Sequence, residues 1–421
     1  MKVLMFHNRY RQLGGEDLST EQETEALRSQ GVEVIRADFD NELPAEGASS
    51  LGAPLDTLRI GWQSAWSPRS HDQARDLCEQ HRPDVAHVQN FWMRLTPSVH
   101  AGCHAAGVPT VQALRNYRLL CANALLLRDG RPCEDCIGKV PWRGVVRRCY
   151  RDSCLASVAV TRMIVENRWR KTWETQVDAF LTLSEHARSR FMRAGFPRDR
   201  VFVKPNCVPA PREMPGPASA SNQILYLGRL SKEKGVDVLL RAWKDAGLGH
   251  HGRLMIAGDG DERPALEAAA STVGLRPPEV VFCGRRPAAE IPSLIQAARA
   301  VVLPSLAYET FGRPVVEAFA SGRPAVVSNL GAPAEIVEHG RTGLHFASGD
   351  AVSLGAALTK VLTGPGLADE LGEQARRRYL SDYTPERNFD ALMRTYRFAI
   401  ERRRRPVPEQ LRAFHPSQSA A

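Results

Sequence analysis

Two glutamates in the stretch YETFGRPVVEAFASGRP, residues 308–324, stand eight positions apart. That interval does not fit one face of a helix that repeats every ~3.6 residues. Pro314 suits the first turn of a helix and Gly322 its end, which places Glu309 in a preceding loop and Glu317 one turn inside the helix. A loop and a helix together aim both carboxylates at one place. A carboxylate accepts hydrogen bonds from two adjacent hydroxyls, as on the edge of a hexose or a ribose. Between them, the helix start at Phe311, Gly312 and Arg313 offers free N–H groups and the positive end of the helix dipole, a seat for a phosphate. Arg229 and Lys234, in YLGRLSKEKGVDVLL, flank a second loop where a guanidinium and an ammonium neutralise a diphosphate. Gly258 in AGDGDE, and Gly284 with Arg285 in FCGRRP, follow apolar runs at points where a backbone can approach a flat base or a phosphate. The chain carries no Walker A sequence, no G-x-S-x-G and no H-E-x-x-H, and Gly14-Gly15 is not part of a G-x-G-x-x-G.

The elements that must hold these residues read as two successive α/β alternations. KVLMF is a short apolar run, STEQETEALRSQG opens on a capping-box pattern from Ser19 to Gln22 and stops at Gly31, and VEVIRADF alternates as a strand. DVAHVQ, PTVQAL, DAFLTLS and VFVKPN continue the set. Residues 207–222, CVPAPREMPGPASASN, form a proline-rich linker, after which QILYLG, RLMIAG, VVFCG, AVVLPS and AVVSN alternate with helical segments. The expected organisation is an N-terminal Rossmann-like domain over 1–206 with a cysteine-rich insert at 121–154, a linker at 207–222, and a second Rossmann-like domain over 223–390. Residues 391–421 would be a C-terminal helix and basic tail packing back on the first domain. In doubly wound sheets ligands bind beyond the carboxyl ends of the strands, so the site residues belong in strand-to-helix loops facing a cleft between the domains.

Bulk properties narrow the function classes. A 43% hydrophobic chain of 421 residues builds two ordinary cores, and its first apolar run is too short for a signal sequence, so a cytoplasmic protein is expected. The net charge of +9 attracts anions; aromatic stacking platforms and a recognition-helix pattern are lacking, which argues against nucleic acid as the partner. Nine cysteines, an odd count, argue against a disulfide scaffold, and five of them fall between 121 and 154. The C-x2-C pair Cys133 and Cys136, with Cys121 before it and Cys149 after it, fits a tetrahedral thiolate site. A structural zinc on these four is expected, with Cys154 as an alternate fourth ligand. The stretch SVAVTRMIVENRWRKTW, residues 157–173, mixes apolar and basic residues and is a candidate for peripheral contact with the inner face of a membrane; ERRRRP at 401–406 is a weaker one.

In combination, GRLSKEKG, AGDG and YETFGRPVVEAFASGRPAVVSN resemble the retaining nucleotide-sugar glycosyltransferases called group 1 or family 4, which have the two-Rossmann GT-B fold. HNRYRQLGGED and VKPN extend the resemblance over about residues 1–400. The resemblance implies transfer of a hexose from a nucleotide diphosphate sugar to a glycan or lipid-linked acceptor, with no catalytic metal. It assigns Glu309 to the donor sugar, Glu317 to the ribose, and Arg229 with Lys234 to the diphosphate. Gly14 and Gly15 would face the donor phosphate and the acceptor, and the backbone of Gly284 and Arg285 would border the base. Many members carry a histidine in an N-domain loop where ALRNYRLLC places Arg115, and Gln89 stands where another histidine is expected, leaving His87 as a weak candidate. A non-catalytic binder of sugar nucleotides is the alternative that these two departures suggest.

Overall fold

The computed structural model describes residues 1–9, 15–40 and 61–404. Gly14 and the sequence after Arg404, including the end of the ERRRRP run, lie outside the described residues. Strands β1 (Lys2–Arg9), β2 (Glu33–Asp40), β3 (Val85–Asn90), β4 (Thr110–Leu114), β7 (Ala179–Thr182) and β8 (Val201–Val203) form one sheet in the order β2-β1-β3-β4-β7-β8. The two-residue strands β5 (Leu127–Arg128) and β6 (Arg131–Pro132) make a small antiparallel hairpin inside the insert. Strands β9 (Gln223–Leu227), β10 (Arg253–Ala257), β11 (Val280–Gly284), β12 (Ala300–Leu303), β13 (Ala325–Ser328) and β14 (Gly343–Phe346) form the second sheet, ordered β11-β10-β9-β12-β13-β14. Its pairings are parallel, with Leu225 opposite both Met255 and Val301. Strand β14 and the β5–β6 hairpin are absent from the sequence reading; GLHF is only four residues long, and the hairpin strands are too short to show a period.

Two compact units emerge. The first gathers Met1–Ala113, Glu166–Leu181 and the chain from Leu392; the second gathers Leu114–Val165 with Thr182–Ala391. These boundaries differ from the expected ones because the insert is fastened to the second group, as the site geometry shows below. In the first unit β1 is buried on both faces, Val3 to Phe6 being fully inaccessible, which is how a parallel strand covered by helices reads. The helix after it runs Gly15–Ser29, so Ser19 lies inside it and is buried; the expected capping box is wrong. Gly31, at φ +77°, does end that segment. His87, the weak candidate, is a core residue: its Nδ1 stands 2.7 Å from the Tyr396 hydroxyl, and Gln89 donates to Glu23 at 2.5 Å. Both side chains are buried.

The second unit is held by a core on its sheet. The helix Val236–Asp245 turns Val236, Leu239, Leu240 and Trp243 onto the strands, and Trp243 donates its indole N–H to Glu279 at 3.1 Å. The linker residue Val208 joins a second cluster with Phe319, and its carbonyl accepts from Tyr379 at 2.8 Å. Among the described residues no single helix is long and apolar enough to cross a membrane. The candidate membrane stretch is partly buried. In the helix Cys154–Trp169, Val160, Met163 and Ile164 are buried, and Trp173 beyond it is buried against Phe91. Leu155, Val158 and Trp169 of the same helix are exposed.

Candidate functional site

The site is assembled where the second sheet changes direction. Strands β9 and β12 are neighbours although more than seventy residues separate them, so the loops leaving their carboxyl ends meet. After β9 the chain makes a 3-10 turn, Lys232–Lys234, and passes through Gly235 at φ +66°. A Cβ on Gly235 would stand 2.2 Å from the Pro304 carbonyl oxygen, so only glycine lets the two loops close up. Leu306 N–H donates to the Glu233 carbonyl at 2.8 Å and completes the zip. This brings Lys234 Nζ to 2.6 Å from Glu309 Oε1, which also accepts from Ser305 Oγ at 2.6 Å. Burial pushes the Glu309 carboxyl upward, but Lys234, Ser305 and Arg229 outweigh it and hold it below the ordinary value. Glu309 is thus a fixed anion, and Lys234 keeps donor capacity beyond this one bond.

Glu317 differs. Pro314 does sit in the first turn of the helix Arg313–Ala320, capped by Gly312 at φ +100°. One turn in, Glu317 accepts from Arg313 Nε at 2.7 Å, and burial outweighs that arginine, so its carboxyl is raised. Its second oxygen is left for hydroxyl donors. The Phe311 side chain belongs to the core, edge-on to Tyr383 with centroids 6.2 Å apart, so only its backbone is available to a ligand. Arg229 is largely exposed, its side chain 67% accessible and only loosely drawn to Glu233 at 3.4 Å, which leaves the guanidinium free to reach an anion. Arg285 is exposed as well.

For Gly258 the reason for glycine changes. At φ +154° its missing Cβ would fall 1.8 Å from the Gly228 carbonyl oxygen, so the residue allows two loops to interlock rather than opening room for a base. Gly258 N–H donates to Gly284 O at 2.9 Å, and Gly228 N–H to Ala257 O at 3.1 Å, so the ends of β9, β10 and β11 form one stitched rim. Gly284 stands at φ +68° on that rim. Gly15 opens its helix with nothing within 4 Å of a built Cβ.

Arg115 follows β4 immediately, and it belongs to the same unit as Glu309. Its guanidinium Nη1 donates to Asn206 at 3.0 Å, and its carbonyl accepts from the Thr310 hydroxyl at 2.9 Å, directly beside Glu309. The structure therefore brings Lys234, Glu309 and Ser305 together, with the Arg115 backbone beside them and its guanidinium bonded to Asn206.

His186 and Arg190 were invisible to sequence reasoning. His186 stacks at a tilt on Tyr308, centroids 4.6 Å apart, and its buried Nε2 has no hydrogen-bond partner. Burial, then Arg190, lowers its pKa to about 4, so the ring is neutral. Arg190 lies 4.9 Å over the Tyr308 ring and is itself held by Glu134 at 3.2 Å, with Arg193 at 2.6 Å from the same carboxylate. Only Tyr308 gave a signal, by preceding Glu309. In the insert, Cys121, Cys133, Cys136 and Cys149 line one small cavity, whereas Cys154 is exposed, donates towards Val145 O at 3.5 Å and does not line it; the alternate ligand is thereby set aside.

Comparisons with known proteins agree with this architecture. Residues 14–207 match the family described as glycosyl transferase 4-like domain, and residues 211–378 match glycosyl transferases group 1. A glycogen synthase of Mycobacterium tuberculosis is 37% identical over 201 residues, 47% of this chain and 47% of that protein. The alpha-D-kanosaminyltransferase of Streptomyces kanamyceticus is 33% identical over 177 residues, 41% and 45% respectively. The chain thus spans about half the length of the curated relatives it matches. Among solved structures, sucrose-phosphate synthase from Thermosynechococcus elongatus superposes with a TM-score of 0.69 at 19% identity, covering 94% of this chain and 98% of that one. The Anabaena protein HepE in complex with UDP gives 0.66 at 17% identity, covering 94% and 99%. Two parallel-sheet Rossmann-like domains in one chain are the GT-B fold, and the chain belongs to the group 1 glycosyl transferases.

Proposed function

We propose that this protein is a retaining glycosyltransferase that moves a hexose from a nucleotide diphosphate sugar to a glycan or lipid-linked acceptor in polysaccharide or glycoconjugate assembly, on the cytoplasmic side of a membrane. The observation that carries the reading is the pairing of Lys234 with Glu309 at 2.6 Å beside an accessible Arg229. Glu309 accepts from the donor sugar's hydroxyls, and Glu317 from the ribose. Arg229 and Lys234 take the diphosphate. As the bond from the anomeric carbon to the diphosphate oxygen breaks, negative charge grows on that oxygen, where the two cations stabilise it. The acceptor hydroxyl attacks from the same face, forms the new bond to the anomeric carbon, and passes its proton to the departing diphosphate. Arg115, anchored by Asn206, adds positive charge near an anionic acceptor or the leaving group. The backbone of Gly284 and Arg285, at the end of β11, borders the base.

A lipid-linked acceptor fits the surface of the insert. Val140, Trp142, Val146 and Leu155 are 58 to 68% exposed, and Lys139, Arg143, Arg147, Arg148 and Arg151 lie close to them in the sequence. Thr161 reaches Pro141 at 3.4 Å and Cys154 reaches Val145 at 3.5 Å, so the two short stretches lie side by side and present one apolar patch with a basic border. The replacement of the expected histidine by Arg115 favours the second reading, a sugar-nucleotide binder without turnover. A coupled assay of nucleoside diphosphate release separates the two. Glu309→Ala is expected to abolish product while nucleotide binding through Glu317, Arg229 and Lys234 survives; binding of donor by the wild type with no turnover on any acceptor would establish the non-catalytic protein instead.

A further inference from the structure

We infer that Cys121, Cys133, Cys136 and Cys149 form a structural zinc centre, independent of the transferase reading. The four side chains come from three separate pieces of the insert: the turn after β4, the segment that follows the β5–β6 hairpin, and the stretch after the short helix Trp142–Val146. They nevertheless line one cavity, of about 10 Å³, together with Asn123, Arg128, Arg143 and Arg147. None of the four is in a disulfide. As free thiols they have not closed to bonding distance, and among the described residues no group of three or more such side chains is gathered as ligands.

Three features favour a metal over inert thiols. The cavity is small, and four soft thiolates, at a spacing in the chain that fits a tetrahedral site, suit zinc. Three guanidiniums, Arg128, Arg143 and Arg147, line it, and positive charge of this kind suits a centre with four thiolates. The scaffold is also thin. The hairpin strands have two residues each and the helix five, yet among the described residues six of the nine non-glycine residues at positive φ fall here: Ala124, Leu126, Asp129, Arg148, Arg151 and Asp152. Such backbone persists only where its surroundings over-determine it, which a four-point metal crosslink does. Glu134 lies inside the C-x2-C pair and holds Arg190 against Tyr308, so the crosslink also steadies the wall of the site beside Glu309.

The test is elemental analysis of the full chain as purified, with about one zinc per protein expected for a closed structural site. Replacement by cobalt should give the intense thiolate charge-transfer and tetrahedral d–d bands. Cys133→Ser with Cys136→Ser should lose the metal and Cys154→Ser should keep it. Should the double variant not fold, chelator treatment of the wild type takes its place: the melting temperature should fall and return on adding zinc. Protein free of zinc that melts at the same temperature with or without the ion would overturn the inference. So would a mass two hydrogens light from a disulfide, or metal lost only with Cys154.

Discussion

Glu309 and Glu317 do opposite things with similar burial, and that difference predicts their variants. Glu309 is an ion already compensated by Lys234 and Ser305, so removing it strips a contact to the sugar and leaves Lys234 without its partner. Glu309→Ala should lower the rate of transfer by about a thousandfold or more, the scale on which loss of a transition-state contact is felt, with little change in nucleotide affinity. Glu317 has one arginine partner and a raised pKa, so it gains most when ribose hydroxyls arrive. Losing charge-assisted hydrogen bonds worth ~1.5 to 3 kcal/mol, Glu317→Gln should weaken donor binding about ten- to a hundredfold while leaving the rate at saturation near that of the wild type. Calorimetric titration with the nucleotide, set beside steady-state rates, reads both; equal losses in affinity and rate at either position would reject the division of labour.

The elements do their work through interlocked loops more than through helices. Gly258 has the Gly228 carbonyl where a Cβ would be, and Gly235 has that of Pro304. Gly258→Ala should therefore destabilise the protein by about 3 kcal/mol or more, a drop in melting temperature of about 6 to 12 °C, with secondary structure retained. An unchanged melting curve would mean that the rim yields cheaply. The same scale shows what could be read in advance. Every strand of the second sheet up to β13 was legible because it is a short, largely apolar run closed by a turn, and the helix from Arg313 was legible from Pro314 and Gly322. The short β14 and the five-residue helix of the insert were not, since four or five residues carry no period. Glu309 and Lys234, singled out in the sequence, meet at 2.6 Å, while the roles of these two and of Glu317 and Arg229 come from the resemblance. The role of Gly258 was misread because a glycine's neighbours across two loops cannot be seen in sequence. His186 was missed because what distinguishes it is a contact with Tyr308, more than a hundred residues away. The patch around Trp142 also belongs here: sedimentation with anionic vesicles should retain the wild type and release Trp142→Ser with Val146→Ser, and retention of both by neutral and anionic vesicles alike would remove the lipid surface from the proposal.

At the scale of the molecule, three groups tilt stability the same way with pH. Burial holds His100 at about 4 against its hydrogen bond to Gln112, and burial with Arg190 holds His186 at about 4. Both are neutral in the fold while the unfolded chain protonates near its ordinary value of 6.5, so the unfolded state takes up protons first and stability falls as pH drops from about 6.5 towards 4. For the fully buried His100 the separation corresponds to on the order of 3 kcal/mol once complete. Glu309, held below its ordinary 4.5, contributes stability above that value and loses it as pH falls through the lowered one. Melting temperature should be level between pH 7 and 8 and decline below about 6.5, less steeply in His186→Gln; a level curve down to pH 4.5 would contradict this. The central claim, that this chain binds a nucleotide sugar through the loops after β9 and β12, is tested most directly by saturation-transfer NMR of the intact protein with a panel of nucleotide diphosphate sugars. At least one should bind, and Lys234→Ala should weaken it about tenfold or more, as loss of a charge-assisted contact does. Folded wild-type protein that shows no transfer to any nucleotide sugar at millimolar concentration would contradict the account.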